Sequence, residues 1–334
     1  MSEDLSAILQ EQVARALTDA TDVATLRALE TGAFPQAAWD ALESLGLALA
    51  LVPEEAGGAG LSLEDAAGLF LLLGQHGAPL PLAEGMGAAL LLAAAGLPVP
   101  EGVLTFAAAG EAVPWGRHAA HVVLVDGARV SLHAIGTATP SENIGREPRD
   151  ALAPGPALEE GALPARFGAE AARGLTALIR SAQMAGALQA ALALAVDYAN
   201  TRVQFGRPIG RFQAIQQQLA LFAAEAAAAS VAARSAARAA DRRGLADAGF
   251  EIGCAKITAG EAAGTCAAIA HQVFAAIGVT EEHALHHLTR RLWSWREEGG
   301  TERFWAQRIG AAAQARGGAA LWPDITARDE EFCA

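Results

Sequence analysis

The residues best suited to chemistry cluster at one bend: Tyr198, Arg202, Gln204, Phe205, Gly206, Arg207, Pro208, Gly210, Phe212, Gln213 and Gln216. They set a guanidinium fork, amides and an aromatic ring around a glycine-containing break, a combination that suits the phosphates and ring edges of a nucleotide. A plain helix-turn-helix corner explains the same residues from physics alone. A second candidate is Glu298, which follows Glu297 and precedes Gly299-Gly300-Thr301-Glu302. Acids at a helix start read as solvated charges or, if aimed inward, as a general base. A third is His283, His286 and His287 beside Glu281 and Glu282, with two imidazoles one helical turn apart. H-E-x-x-H is not matched and no third ligand is indicated, so a solvated helix face is the simpler reading and no metal is expected. No G-x-S-x-G or Walker A motif is present, which leaves hydrolase and phosphotransferase readings without support.

The elements that must position these groups are mostly helical. From Phe167 onward long apolar-periodic runs predict helices over 168–200, 212–242, 245–276, 281–296 and 301–317, broken by Gly206, Pro208, Gly210 and Gly244. Short connections between long helices imply an antiparallel bundle. Toward the start, a helix over 34–47 and a loop over 53–60 precede a helix opened by Ser62 with Asp65 three residues on. Gly57, Gly58 and Gly60 follow no strand, so they do not form a dinucleotide fingerprint. Between Val103 and Ile135 the pattern turns β-like, with a hairpin predicted around Asp126-Gly127, and the prolines of 137–164 imply irregular chain or edge strands. The division expected is a helical domain over 1–100, a reduced central β domain over 101–163 and a helical bundle over 164–334.

Composition narrows the function. The chain has 334 residues and a net charge of −13, which argues against binding to nucleic acid. It is 52% hydrophobic with 84 alanines, a balance for helices packed closely through small side chains. The run Gly85–Gly96 is too short for a membrane span and reads as a buried helix. Cys254, Cys266 and Cys333 fit neither a metal pair nor a disulfide framework, and the first 20 residues lack the pattern of a signal peptide, so a cytoplasmic protein is expected.

The stretch Tyr198 to Gln216 resembles the Y-x-x-x-R-x-Q-F-G-x-P-I-x-x-F-Q-x-I-Q motif of the acyl-CoA dehydrogenase family. Trp39 to Gly60 is similar to its N-terminal helical domain, and Gln272 to Thr280 to its Q-x-x-G-G-x-G-x-T segment. The resemblance implies a mainly α fold with an N-terminal helical domain, a central β domain and a C-terminal four-helix bundle. It implies FAD as cofactor, gripped in a neighbouring subunit by Arg202, Gln204, Phe205, Gly206, Gln213, Gln272, Ala275 and Ala276, with Thr301 and Glu302 also at the site. It further implies an acyl-CoA substrate desaturated at α,β, an electron-transfer acceptor, and a homologous partner subunit in a dimer or tetramer.

The departures shape the functional expectation. Residues 104–118 stand where the family places a T-E-P-x-x-G-S-D loop that holds the flavin ring and thioester. Ala275 and Ala276 replace a glycine pair, so contact there is looser or the chain is displaced. The family's base falls on Gly299, and a second position used by some members falls near Thr176; neither is a carboxylate. Glu298 is one residue out of register, about 100° around a regular helix. Two readings follow: an enzyme with Glu298 as displaced base, or the less catalytic half of a mixed oligomer acting on bulky acyl groups such as steroid side chains. A helical scaffold that binds no flavin is the third.

Overall fold

The computed structural model describes residues 3–21, 25–27, 32–280 and 283–326. The helices given bounds in the first part of the chain are α1 (Glu3–Ala20), α2 (Gln36–Glu43), α3 (Leu63–Gln75) and α4 (Leu82–Ala94). Helix α2 is shorter than the periodicity predicts because Gly46 takes a left-handed conformation (φ 71°) and redirects the chain into a 3-10 turn. Ser62 caps α3 as expected, accepting the Asp65 N–H at 3.0 Å. A second cap has no signal in the local sequence: the two Asp241 carboxylate oxygens accept the Leu63 and Glu64 N–H groups, each at 2.7 Å. Helix α4 is buried, as the apolar run over 85–96 predicts.

The β region has seven strands: β1 (Leu104–Ala108), β2 (Val113–Pro114), β3 (His121–Asp126), β4 (Arg129–Ala134), β5 (Thr137–Thr139), β6 (Arg149–Ala153) and β7 (Glu159–Ala162). One sheet runs β1-β3-β4-β7, with β1 parallel to β3 and the other pairs antiparallel; a second runs β2-β6-β5. The predicted hairpin is present, but Asp126 pairs with Arg129, so its two-residue turn is Gly127-Ala128. Gly127 alone takes positive φ there (60°), which moves the turn one residue past the expected Asp-Gly. Val123, Val125, Val130 and Leu132 face the main core.

Beyond the sheets lie α5 (Ala171–Thr201), α6 (Gln213–Arg243), α7 (Gly249–Phe274), α8 (Leu285–Trp295), α9 (Glu302–Arg316) and α10 (Gly318–Thr326). Helices α5, α6 and α7 pack on one another, α8 lies against α5 and α7, and α9 against α7. By length and composition α5, α6 and α7 could each cross a membrane, which the sequence reading overlooked. In the bundle 67% of the most apolar window of α5 is buried, against 28% for α6. Helix α10 was not anticipated. Helices α3 and α5 cross backbone to backbone: a Cβ on Gly74 would collide with the Gln183 carbonyl, and one on Gly186 with the Leu71 carbonyl. That close crossing seats the middle of α5 over α4, where the charged residues described next converge.

Candidate functional site

A cleft of about 700 Å³ opens between the β region and the bundle. One wall is Phe106, Ala107 and Ala108 of β1, the opposite wall is Thr176 of α5 with Gly299 and Gly300, and Ile144 and Trp293 also line it. The 296–301 segment forms its wall because α8 ends at Trp295, α9 begins at Glu302, and Gly299 and Gly300 both take positive φ (68° and 98°). The break expected between helices over 281–296 and 301–317 is present as this turn, so the 100° rotation of a regular helix does not apply to Glu298.

Glu298 lines the cleft, but its carboxylate is fully engaged. Oε1 accepts from Arg149 Nε at 2.8 Å and Asn143 Nδ2 at 3.1 Å. Oε2 accepts from Arg180 Nε at 2.7 Å and Arg149 Nη2 at 3.0 Å. Burial alone would raise its pKa, but the guanidinium charges of Arg149 and Arg180, with these hydrogen bonds, outweigh it and bring the group down to about 2. The two arginines continue inward. Arg180 donates to Glu84 of α4 at 2.6 Å and to Gln183. Arg149 reaches Glu147, which also accepts from the Trp295 indole at 3.0 Å and lies 3.4 Å from Arg291. Glu84, Glu147 and Glu298 thus balance Arg149, Arg180 and Arg291 beneath the cleft.

The family's usual base position is closed. A Cβ on Gly299 would sit 2.6 Å from the backbone nitrogen of Ala177. Of the two residues that follow Gly300, Thr301 Oγ1 accepts the Phe304 N–H at 3.3 Å, and Glu302 turns back to Arg296 Nε at 2.9 Å. Sequence reasoning missed Arg149, Arg180, Asn143, Glu147 and Glu84. An arginine in the apolar run of α5 was the one available signal, since a buried charge requires a partner.

The second group of predicted residues lies at the far end of α5, about 40 Å from Thr176 at 1.5 Å per residue. Val203 pairs with Pro208 and Gln204 with Arg207, leaving Phe205 and Gly206 at the tip of a two-residue turn with φ of 51° and 79°. Phe205 is 91% exposed. Arg202, Gln204 and Gln213 are exposed too, and among the described residues the Arg202 side chain has no partner. Tyr198 stacks on Phe274 with ring centroids 4.4 Å apart, which sets the end of α5 beside Gln272, Ala275 and Ala276, all exposed. Ala275 takes φ 51° and ψ −137°, a conformation that favours glycine. The chain is thus not displaced into an ordinary alanine conformation. The structure therefore brings Arg202, Gln204, Phe205, Gly206, Gln213, Gln272, Ala275 and Ala276 to one end of the bundle and Glu298 to the other.

Of the histidine cluster, His283 and His286 sit at that same end, with His283 against Phe274 at 4.4 Å; Glu281 and Glu282 lie outside the described residues, as does Cys333. No group of three metal-ligating side chains occurs among the described residues.

The fold, two helical layers around a small β region, is that of the flavoprotein acyl-CoA dehydrogenases. Similar solved structures include a Tcur3481-Tcur3483 steroid ACAD variant (TM-score 0.82, 24% identity, 95% of this chain and 99% of that one). Another is the ChsE4-ChsE5 complex from Mycobacterium tuberculosis (TM-score 0.80, 22% identity, 93% and 97%). The N-terminal domain of acyl-CoA dehydrogenase matches residues 3–97 and its C-terminal domain residues 172–315. Acyl-CoA dehydrogenase IpdE2 of Mycobacterium tuberculosis is 31% identical over 307 residues, covering 85% of this chain and 89% of that protein. The chain belongs to the acyl-CoA dehydrogenase family, oxidoreductases acting on CH–CH bonds.

Proposed function

We propose that this chain is the less catalytic subunit of a mixed acyl-CoA dehydrogenase oligomer that desaturates an acyl-CoA thioester at α,β. The observation that carries the reading is the state of Glu298: a carboxylate near pKa 2, with both oxygens held by arginines, is a poor acceptor for a substrate proton. Gly299 has no room for a side chain, and Thr176 offers no carboxylate. Proton abstraction then belongs to the partner subunit's pocket. The names of two structural relatives, Tcur3481-Tcur3483 and ChsE4-ChsE5, each join two components, and the first is called a steroid ACAD. Both support a mixed oligomer and a bulky acyl group.

FAD fits the far corner of this chain. Arg202, Gln204, Gln213 and Gln272 are exposed donors, and Ala275 holds a backbone form that favours glycine. When bound, FAD supplies the acceptor for the hydride that leaves the acyl β-carbon. Arg202 offers the diphosphate a charge-assisted contact, and the amides orient it. These residues face outward, so the flavin they grip is one held mainly by the partner. Helix α6, with Leu221 48% and Val231 69% exposed, supplies apolar surface for that partner. In this reading Thr301 and Glu302 hold the fold, a separate electron-transfer acceptor would reoxidise the bound cofactor, and the protein is cytoplasmic.

The test is a flavin count. The chain purified alone is expected to lack the absorbance near 450 nm, and its complex with a full-length dehydrogenase partner to carry about one FAD per pair of chains. One FAD per chain in the isolated protein, with acyl-CoA dehydrogenation, would establish the self-sufficient enzyme instead.

A further inference from the structure

The chain contains a single lysine, Lys256, and α7 buries it completely (0% exposed). An ammonium taken from water needs a compensating partner. Its Nζ donates to the Arg296 carbonyl at 2.6 Å. Arg296 caps the C-terminus of α8, where backbone carbonyls are unsatisfied and a cation is favoured over a neutral donor. The residues that follow, Glu297 to Gly300, all line the cleft. The far end of the same turn is held by the Trp305 indole, which donates to the Gly299 carbonyl at 3.0 Å. Glu302 closes the set: it pairs with Arg296 and lies so close to Gly260, one turn along α7 from Lys256, that a Cβ there would collide with it.

We infer that Lys256 is a positioning residue whose ammonium holds the 296–300 turn from behind, keeping Gly299 and Gly300 pressed against α5 as the wall of the cleft. The charged groups that face Lys256 are Arg180 of α5, Arg296, Glu297 and Glu298 of the turn, and Glu302 of α9. Burial pulls its pKa down to about 8, against the opposing pull of Glu302, Glu298 and Glu297, so the group itself titrates at mildly alkaline pH.

The sole lysine makes the test direct, because [15N]lysine labelling gives one side-chain resonance. In the wild-type protein that resonance is expected to titrate with a midpoint near 8, and the Trp305 indole N–H, assigned by its absence in Trp305→Phe, to move with the same midpoint. Hydrogen exchange gives the second readout. At a pH of about 6.5, Lys256→Met is expected to speed exchange of the 298–301 amides about tenfold and Lys256→Arg to restore protection. An indole signal that ignores the lysine overturns the inference. So does wild-type protection in Lys256→Met. If Lys256→Met does not fold, the wild-type titration alone decides.

Discussion

Replacing Glu298 by glutamine separates a base from a counter-ion. The substitution keeps the shape of the side chain and removes its charge, leaving Arg149 and Arg180 buried with less compensation; their side chains are 10% and 2% exposed. The depressed pKa sets the size of the loss. A carboxylate lowered from 4.5 to about 2 contributes roughly 3 kcal/mol, present above the unfolded value and lost as pH falls toward 2. That agrees with the roughly 3–5 kcal/mol cost of breaking a buried pair. In a chain of 334 residues each kcal/mol moves the melting temperature by about 2 °C, so Glu298→Gln is expected to melt about 6 °C lower. The desaturation rate of its complex with the partner, measured well below that temperature, is expected to stay within a few-fold of wild type. A rate loss of about 100-fold or more with unchanged melting and flavin content would make Glu298 the working base and refute the reasoning.

Three further outcomes follow from other parts of the molecule. Arg202→Ala is expected to weaken flavin retention by the complex about 10- to 100-fold, the loss of one charge-assisted contact; unchanged retention on dialysis would reduce Arg202 to a corner residue. Ala275→Gly relieves a backbone conformation that alanine tolerates poorly, so melting is expected to rise by about 2 °C after the entropy of the unfolded glycine is subtracted, and a fall would show that Ala275 is unstrained. Stability should rise with pH between about 8 and 10.5 relative to Lys256→Met, because there the unfolded chain holds a proton on Lys256 that the folded one has released. Denaturant titrations of both proteins across that window check the sign, and a flat difference refutes the lowered pKa.

What the sequence revealed is what is local. Helices α3 to α9 follow from apolar spacing, glycine breaks and the Ser62 cap, and the β3–β4 hairpin from alternation around one glycine. Each of these signals lies within a few residues of the element it defines. The parallel pairing of β1 with β3 and the cap that Asp241 provides to α3 have no such signal, because their partners are joined only by the fold. The same limit explains the hidden half of the site. Arg180 meets Glu84 across 96 positions and Glu298 across 118, so no spacing rule could pair them.

The case of Glu298 shows how a correct count along the chain can mislead about chemistry. Counting placed the acid one residue from the family's base position, and the structure does place it in the cleft wall. Its orientation, however, belongs to the turn after α8, where Gly299 and Gly300 take positive φ and the carboxylate lies on Arg149 and Arg180. Those arginines are affordable inside the protein only while an acid faces them. An acid kept for this purpose has a pKa far below that of a useful base, because the charges that hold it are the charges that lower it. Restoring a carboxylate at Gly299 would not undo this, since a side chain there meets the Ala177 backbone at 2.6 Å and forces α5 or the turn to move. On the proposed reading, proton abstraction by this chain therefore requires at least two changes together: release of the 296–301 turn from α5, and a neutral replacement for the pair of arginines beneath it.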